Sequence, residues 1–176
     1  GKLLADLYGK PVIQHTYEKV HQSGLFDRVI IVTDSDEITS VVTGFGGDVI
    51  RSQKEHDCGS DRIAEAVVDI DVDIVINVQG DEPFICPEGL SSLIQVFKSD
   101  KNKDVDLASL MIPITEEINN PNVVKVITDL SNRALYFSRS AIPHQRIQEN
   151  HATVYKHVGV YAVSYTHLRA HETATY

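Results

Sequence analysis

The chain has 176 residues, 42% of them apolar and 23% charged, the balance of a single globular domain with a core of its own. Its 16 basic and 25 acidic residues leave a formal charge of −9, which argues against a nucleic-acid or anionic-membrane partner. Cys58 and Cys86 form neither a metal-ligand spacing nor a disulfide framework and fit a reduced cytoplasm, and no apolar run is long enough to span a bilayer.

Pro11 to Ser23 reads as a helix, with Pro11 at its first position, Ile13, Tyr17 and Val20 on one face, and Gly24 as its stop. Arg28 to Thr33 is a buried strand that ends in Thr33-Asp34-Ser35-Asp36. A short helix near Glu37 to Thr43, a turn at Gly46-Gly47 and a short strand from Asp48 follow. Ser60 or Asp61 caps a helix carrying Ile63, Val67 and Ile70. Ile74 to Val78 is a buried strand, and a helix after Pro87 turns Leu90, Leu93, Ile94 and Phe97 inward. This alternation implies an α/β fold, a mostly parallel Rossmann-like sheet with helices on both faces.

The pattern changes after Lys103. Leu107 to Ile114, Val123 to Thr128, Ala134 to Ser138 and Tyr155 to Val163 are strand-like with few helices between them, which points to an antiparallel β insertion. Gln145 to Thr153 reads as a polar loop. Ser164 to Tyr176 fits neither strand nor helix periodicity. It is expected to be an unrelated tail of translated adapter sequence, so its helically spaced His167 and His171 are discounted as metal ligands. The chain opens at Gly1 without Met, and its true beginning is expected to lie upstream.

The most informative residues are Val78-Gln79-Gly80-Asp81-Glu82-Pro83. An apolar strand that ends in Gly and two carboxylates delivers negative charge to the carboxyl edge of a sheet, where α/β proteins bind ligands. A carboxylate there suits a hard divalent cation serving a phosphate-bearing substrate. On the residues alone, the reading of the same six as no more than a strand-to-helix turn is the stronger one. The chain has no Gly-x-Ser-x-Gly elbow, no Walker loop and no Gly-x-Gly-x-x-Gly pattern.

An ordered set of stretches carries more. It runs from Gly1-Lys2 and Gly9-Lys10-Pro11 through Val32-Thr33-Asp34, Gly59-Ser60-Asp61-Arg62-Ile63-Ala64-Glu65 and Asn77 to Pro83. It continues through Asn120-Pro121-Asn122-Val123-Val124-Lys125, Tyr136-Phe137-Ser138-Arg139 and Lys156-His157-Val158-Gly159-Val160-Tyr161. In this order they resemble the 3-deoxy-manno-octulosonate (Kdo) cytidylyltransferases, from Gly1 to about Val163. The resemblance departs at Leu3, a proline in the family, and at Cys58 and Ser60, a serine and a threonine there.

The resemblance implies a nucleotide-diphospho-sugar-transferase-like domain over 1–163, with a nucleotide-binding half at about 1–103 and a sugar-binding and dimerisation half at about 104–163. It implies CMP transfer from CTP to Kdo, with Mg2+ on Asp81 and Lys2 on the phosphates. Arg62, Gln79 and Ser60 would lie at the nucleotide, and Arg139, His157 and Tyr161 at the acid sugar. Lys125 is assigned a structural or rim role. A cytoplasmic homodimer with no membrane or nucleic-acid partner is expected. The alternatives are a cytidylyltransferase for another acid sugar such as sialic acid, or an inactive dimer-forming fragment, since the family's remaining C-terminal segment is expected to be missing.

Overall fold

The computed structural model describes residues 1–54, 56, 59–144 and 152–165. They form two compact units: Gly1–Ala108 together with the described residues from Tyr161, and Ser109–Val160.

The first unit opens with a 3-10 turn, Lys2–Leu4, and a tight hairpin of β1 (Asp6–Leu7) and β2 (Lys10–Pro11). Tyr8 and Gly9 make its turn at φ 53° and 84°, and Asp6 Oδ1 accepts from Gly9 N. Helix α1 (Val12–Gln22) follows with Pro11 as its N-cap, so it starts one residue later than expected. Its buried residues are Ile13, Thr16 and Val20. Thr16 takes the inward place expected of Tyr17, whose ring packs on Phe45 at 5.5 Å while its hydroxyl accepts from Asp48 N.

β3 (Ile30–Thr33) and β4 (Asp48–Arg51) pair in parallel, joined by α2 (Asp36–Gly44), which Ser35 caps by accepting from Ile38 N. Helix α3 spans Gly59–Val67. It starts before Ser60 and Asp61, which therefore sit in its first turn rather than at the cap, and Ile70 lies beyond its end. β5 (Ile74–Asn77) is half-buried, not fully buried, and pairs antiparallel with Tyr161–Ser164 of β9 (Val154–Ser164). α4 (Pro87–Ser99) buries Leu90 and Leu93, with Pro87 in its first turn. No helix of the described residues is long and apolar enough to cross a membrane.

The α/β class stands, but parallel pairing is scarcer than the alternation of elements suggests. β3 and β4 run parallel, whereas β1 with β2, β5 with β9, and Lys125–Thr128 with both of its partner strands run antiparallel. The physical reason is the choice of neighbour: β4 is also joined to β5 through a helix, α3, yet among the described residues the two lie in separate sheets, and β5 takes β9 as its partner instead.

β9 extends one residue beyond each end of its expected span. Ser164 pairs with Ile74, Tyr165 N donates to Asp73 O at 3.0 Å, and the Tyr165 hydroxyl donates towards Val67 O and Val68 O. His167 and His171, like most of the expected loop at 145–153, lie outside the described residues.

In the second unit β7 (Lys125–Thr128) pairs with β8 (Ala134–Ser138) on one side and with Tyr155–Lys156 of β9 on the other. β6 (Leu107–Ile114) falls where the sequence predicts it, and residues from Ser109 on belong to this unit. Asp129 Oδ1 accepts from Ser131 N and Arg133 N to close the β7–β8 turn. Val123, Val126, Val154 and Val160 are buried here, and so is Lys125. On β8, by contrast, Leu135 is 61% exposed, Tyr136 62% and Phe137 47%.

A polar knot ties the chain after β4 to α3. The Glu65 carboxylate accepts from Ser52 Oγ and from Gln53 N, and His56 Nε2 lies 2.7 Å away. The Ser52 bond is the largest cause, with His56 next, of a Glu65 pKa lowered from 4.5 to about 2. The folded value lies below the unfolded one, so this contribution is present above pH 4.5 and is lost as pH falls towards 2. Urea midpoints of the wild type are expected to drop across that window, and Glu65→Gln to flatten the drop; an equally steep fall in the variant would contradict the assignment.

Candidate functional site

Asp81 follows β5 at the tip of a turn in which Glu82 N donates to Gln79 O. The turn is set by Gly80. Its carbonyl accepts from the Thr16 hydroxyl of α1 at 2.9 Å, and a Cβ on Gly80 would stand 2.6 Å from Ile13 Cδ1 and 3.2 Å from Leu3 Cδ2. Helix α1, the 3-10 turn and the end of β5 therefore meet at a residue with no side chain. The meeting brings Lys2 to Asp81: Lys2 Nζ donates to Asp81 Oδ2 at 2.6 Å.

This pair is wet, the Lys2 side chain being 79% exposed and that of Asp81 35%. The hydrogen bond from Lys2 is the main cause holding the Asp81 carboxyl below its ordinary pKa, and the bond to Asp81 raises the Lys2 ammonium. Asp81 is thus ionised throughout the neutral range, while an exposed pair of this kind stabilises the fold little and exchanges partners readily.

Arg62, on α3, donates from Nη2 to Asp34 Oδ2 at 2.9 Å, which ties α3 to the end of β3. Its Nε is buried and finds no partner among the described residues. Gln79 is exposed beside Asp81, and the side chain of Ser60 lies outside the described set. Tyr161, half-buried on β9, stands in register opposite Asn77 at the end of β5.

The other two residues expected at the sugar belong to the second unit. Arg139 is exposed just past β8 and donates from Nη1 to Pro121 O at 2.9 Å. His157 sits on β9 with Nε2 2.9 Å from Ser109 Oγ and its ring edge-on to Phe137 at 5.1 Å. Ser109 spends its one proton on the carbonyls of Val158 and Val160, so its oxygen accepts from His157 Nε2–H. Burial lowers the His157 pKa, in keeping with that neutral tautomer.

No group of three metal-ligating side chains occurs among the described residues. The donor set fits a small hard cation that arrives with phosphate oxygens and takes one or two protein carboxylates, and does not fit an all-protein cage. Asp81 is the ionised, accessible carboxylate at that position.

A family model described as Cytidylyltransferase matches residues 1–172. The chain belongs to the cytidylyltransferase family. The 3-deoxy-manno-octulosonate cytidylyltransferase of Christiangramia forsetii is 54% identical over 164 residues, 92% of this chain and 66% of that protein. The one from Flavobacterium johnsoniae is 55% identical over 92% of this chain and 67% of its own length. A solved structure of CMP:2-keto-3-deoxy-manno-octonic acid synthetase complexed with CTP superposes with a TM-score of 0.90 at 38% identity, covering 100% of this chain and 72% of that one. The chain thus spans about two thirds of the length of these cytidylyltransferases, and the family match continues past Val163, where the sequence pattern places an unrelated tail.

Three features of this cytidylyltransferase chain escape a reading by residue type. Asp34 closes on Arg62, Glu65 gathers the loop after β4, and Ser109 orients His157. Asp34 and Glu65 stand inside the motif stretches and were legible as polar residues of unassigned role; Ser109, on a strand, carries no local signal.

Gly80→Ala is expected to destabilise the protein by about 1–3 kcal/mol through overpacking. Adding Ile13→Val, which removes the clashing Cδ1, should make the double variant less destabilised than the sum of the two single changes, as read from urea unfolding. Strict additivity would show that Gly80 is not set by this contact.

Proposed function

We propose that the full-length protein is a 3-deoxy-manno-octulosonate cytidylyltransferase that transfers CMP from CTP to Kdo, giving CMP-Kdo and pyrophosphate and activating the sugar for lipopolysaccharide synthesis. The observation that carries this reading is the Lys2–Asp81 pair at the end of β5, in a chain 54% identical to a protein of that name.

The anomeric hydroxyl of Kdo attacks the α-phosphorus of CTP. The new P–O bond forms as the bond to the β-phosphate oxygen breaks, pyrophosphate leaves, and the hydroxyl proton passes to solvent or a phosphate oxygen. Asp81 would hold magnesium, which supplies charge neutralisation for the phosphates when bound. Lys2, now on Asp81, turns its ammonium to phosphate oxygens at little cost because the pair is exposed. Arg62, braced by Asp34, presents its guanidinium on the nucleotide side. Ser60, in the first turn of α3, and Gln79, beside Asp81, complete that side. Arg139 offers a planar fork to the Kdo carboxylate, with His157 and Tyr161 on the rest of the sugar. The rate enhancement then comes from positioning and charge stabilisation.

The protein acts as a homodimer in the cytoplasm. The apolar exposure of Leu135, Tyr136 and Phe137 on one strand supports a buried partner surface there, and the free, exposed Cys86 suits a reducing compartment.

Pyrophosphate release from CTP in the full-length protein is expected with Kdo and not with sialic acid; the reverse preference would overturn the substrate assignment. Asp81→Asn is expected to lower kcat by about 10²–10³-fold, the size of effect seen when one transition-state charge contact is removed. Sedimentation should give a dimer that Tyr136→Asp converts to monomer.

A further inference from the structure

The only fully buried cation among the described residues of the second unit is unexplained by the reaction above. Lys125 opens β7, in register with Ser138 on β8 and Lys156 on β9, and its side chain is 0% exposed. Its Nζ donates to three main-chain carbonyls: Asn120 O at 2.9 Å, Val123 O at 2.7 Å and Arg139 O at 2.6 Å. An ammonium has three N–H donors and no acceptor, so all three are used. A buried charge held only by neutral carbonyls is costly, and its retention calls for a reason beyond packing.

The geometry of the three carbonyls supplies one. Two belong to the turn Asn120–Val123 and the third to Arg139 itself. The same turn takes the other end of Arg139, because Pro121 O accepts from its Nη1 at 2.9 Å. Lys125 therefore fixes the Arg139 backbone and the turn that orients the Arg139 guanidinium, with one ammonium. The side-chain fork stays exposed. Neither cation has a carboxylate partner among these bonds, so the local charge is positive and matches an anionic ligand.

We propose that Lys125 is a positioning residue for recognition of the acid sugar: its buried ammonium clasps the Asn120–Val123 turn to the Arg139 carbonyl and so aims the Arg139 fork at the substrate carboxylate. This rests on the reading of Arg139 as the carboxylate-binding group.

Steady-state kinetics of the full-length protein test it. Lys125→Met keeps an unbranched side chain one atom shorter and removes the donors. It is expected to raise the KM for Kdo by about tenfold while the KM for CTP stays within about twofold. In an Arg139→Ala background the same change should leave the KM for Kdo within about twofold, since the two residues act as one unit. Equal rises for both substrates, or additive effects of Lys125 and Arg139, would overturn the proposal in favour of a purely structural lysine. If Lys125→Met does not fold, the wild type decides. The slowly exchanging Lys125 ammonium signal in 15N spectra should move on addition of Kdo and stay in place with CTP, and the opposite pattern refutes the clasp. An unchanged KM for Kdo in Arg139→Ala alone would instead remove the reading of Arg139 on which the proposal stands.

Discussion

The first unit depends on one close approach, that of α1 and the 3-10 turn to the backbone of Gly80. The end of β5 can lie against Ile13 and Leu3 only because residue 80 lacks a Cβ. The Thr16 hydroxyl then fixes the peptide carbonyl, and the following residue, Asp81, is delivered to the chain's N-terminal lysine. A buried polar atom of α1 thus does for the loop what a ladder hydrogen bond does inside a strand: it removes a degree of freedom from the residue that carries the charge. The position of the carboxylate follows from packing, and only its exposed ion pair is left to be exchanged.

The chain holds two sorts of cation, and the difference between them is informative. Lys2 is exposed, paired to a carboxylate at 2.6 Å and readily released. Lys125 is sealed and bound to three carbonyls that cannot leave. The first suits a group that must change partners in each catalytic cycle. The second suits a group whose task is to hold backbone in one arrangement while its neighbour Arg139 stays exposed. Asp34 plays the matching part for Arg62, bracing one nitrogen of the guanidinium and leaving another without a partner among the described residues.

Much of the fold was legible because its periodicities are local. The limits of β6 and β8 fall where alternation predicts them, α1 and α2 lie within a residue of their expected spans, and α4 holds the four apolar residues expected of it. Errors arose where tertiary contacts decide. Tyr17 yields its inward place to Thr16 because the phenol reaches Phe45 and Asp48 instead, and the Gly80 carbonyl needs a hydroxyl. The parallel share was overestimated because strand direction depends on which strands become neighbours, and β5 takes β9 from far along the chain. At the site, Asp81 and Lys2 were chosen from motif and charge, and the structure joins them across 79 residues of sequence. The supports Asp34, Glu65 and Ser109 could not be assigned from residue type alone, since each acts through a partner remote in sequence, while Lys125, read as a structural or rim residue, gave no sign of its three carbonyl partners because those are main-chain atoms.

That the Lys125 ligands are peptide oxygens has an evolutionary corollary. Every residue type presents the same carbonyl, so Asn120, Val123 and even the side chain at 139 can drift without unfastening the turn. A lineage could therefore remodel the exposed surface around residue 139 while inheriting an intact scaffold, with a single lysine codon as the invariant cost.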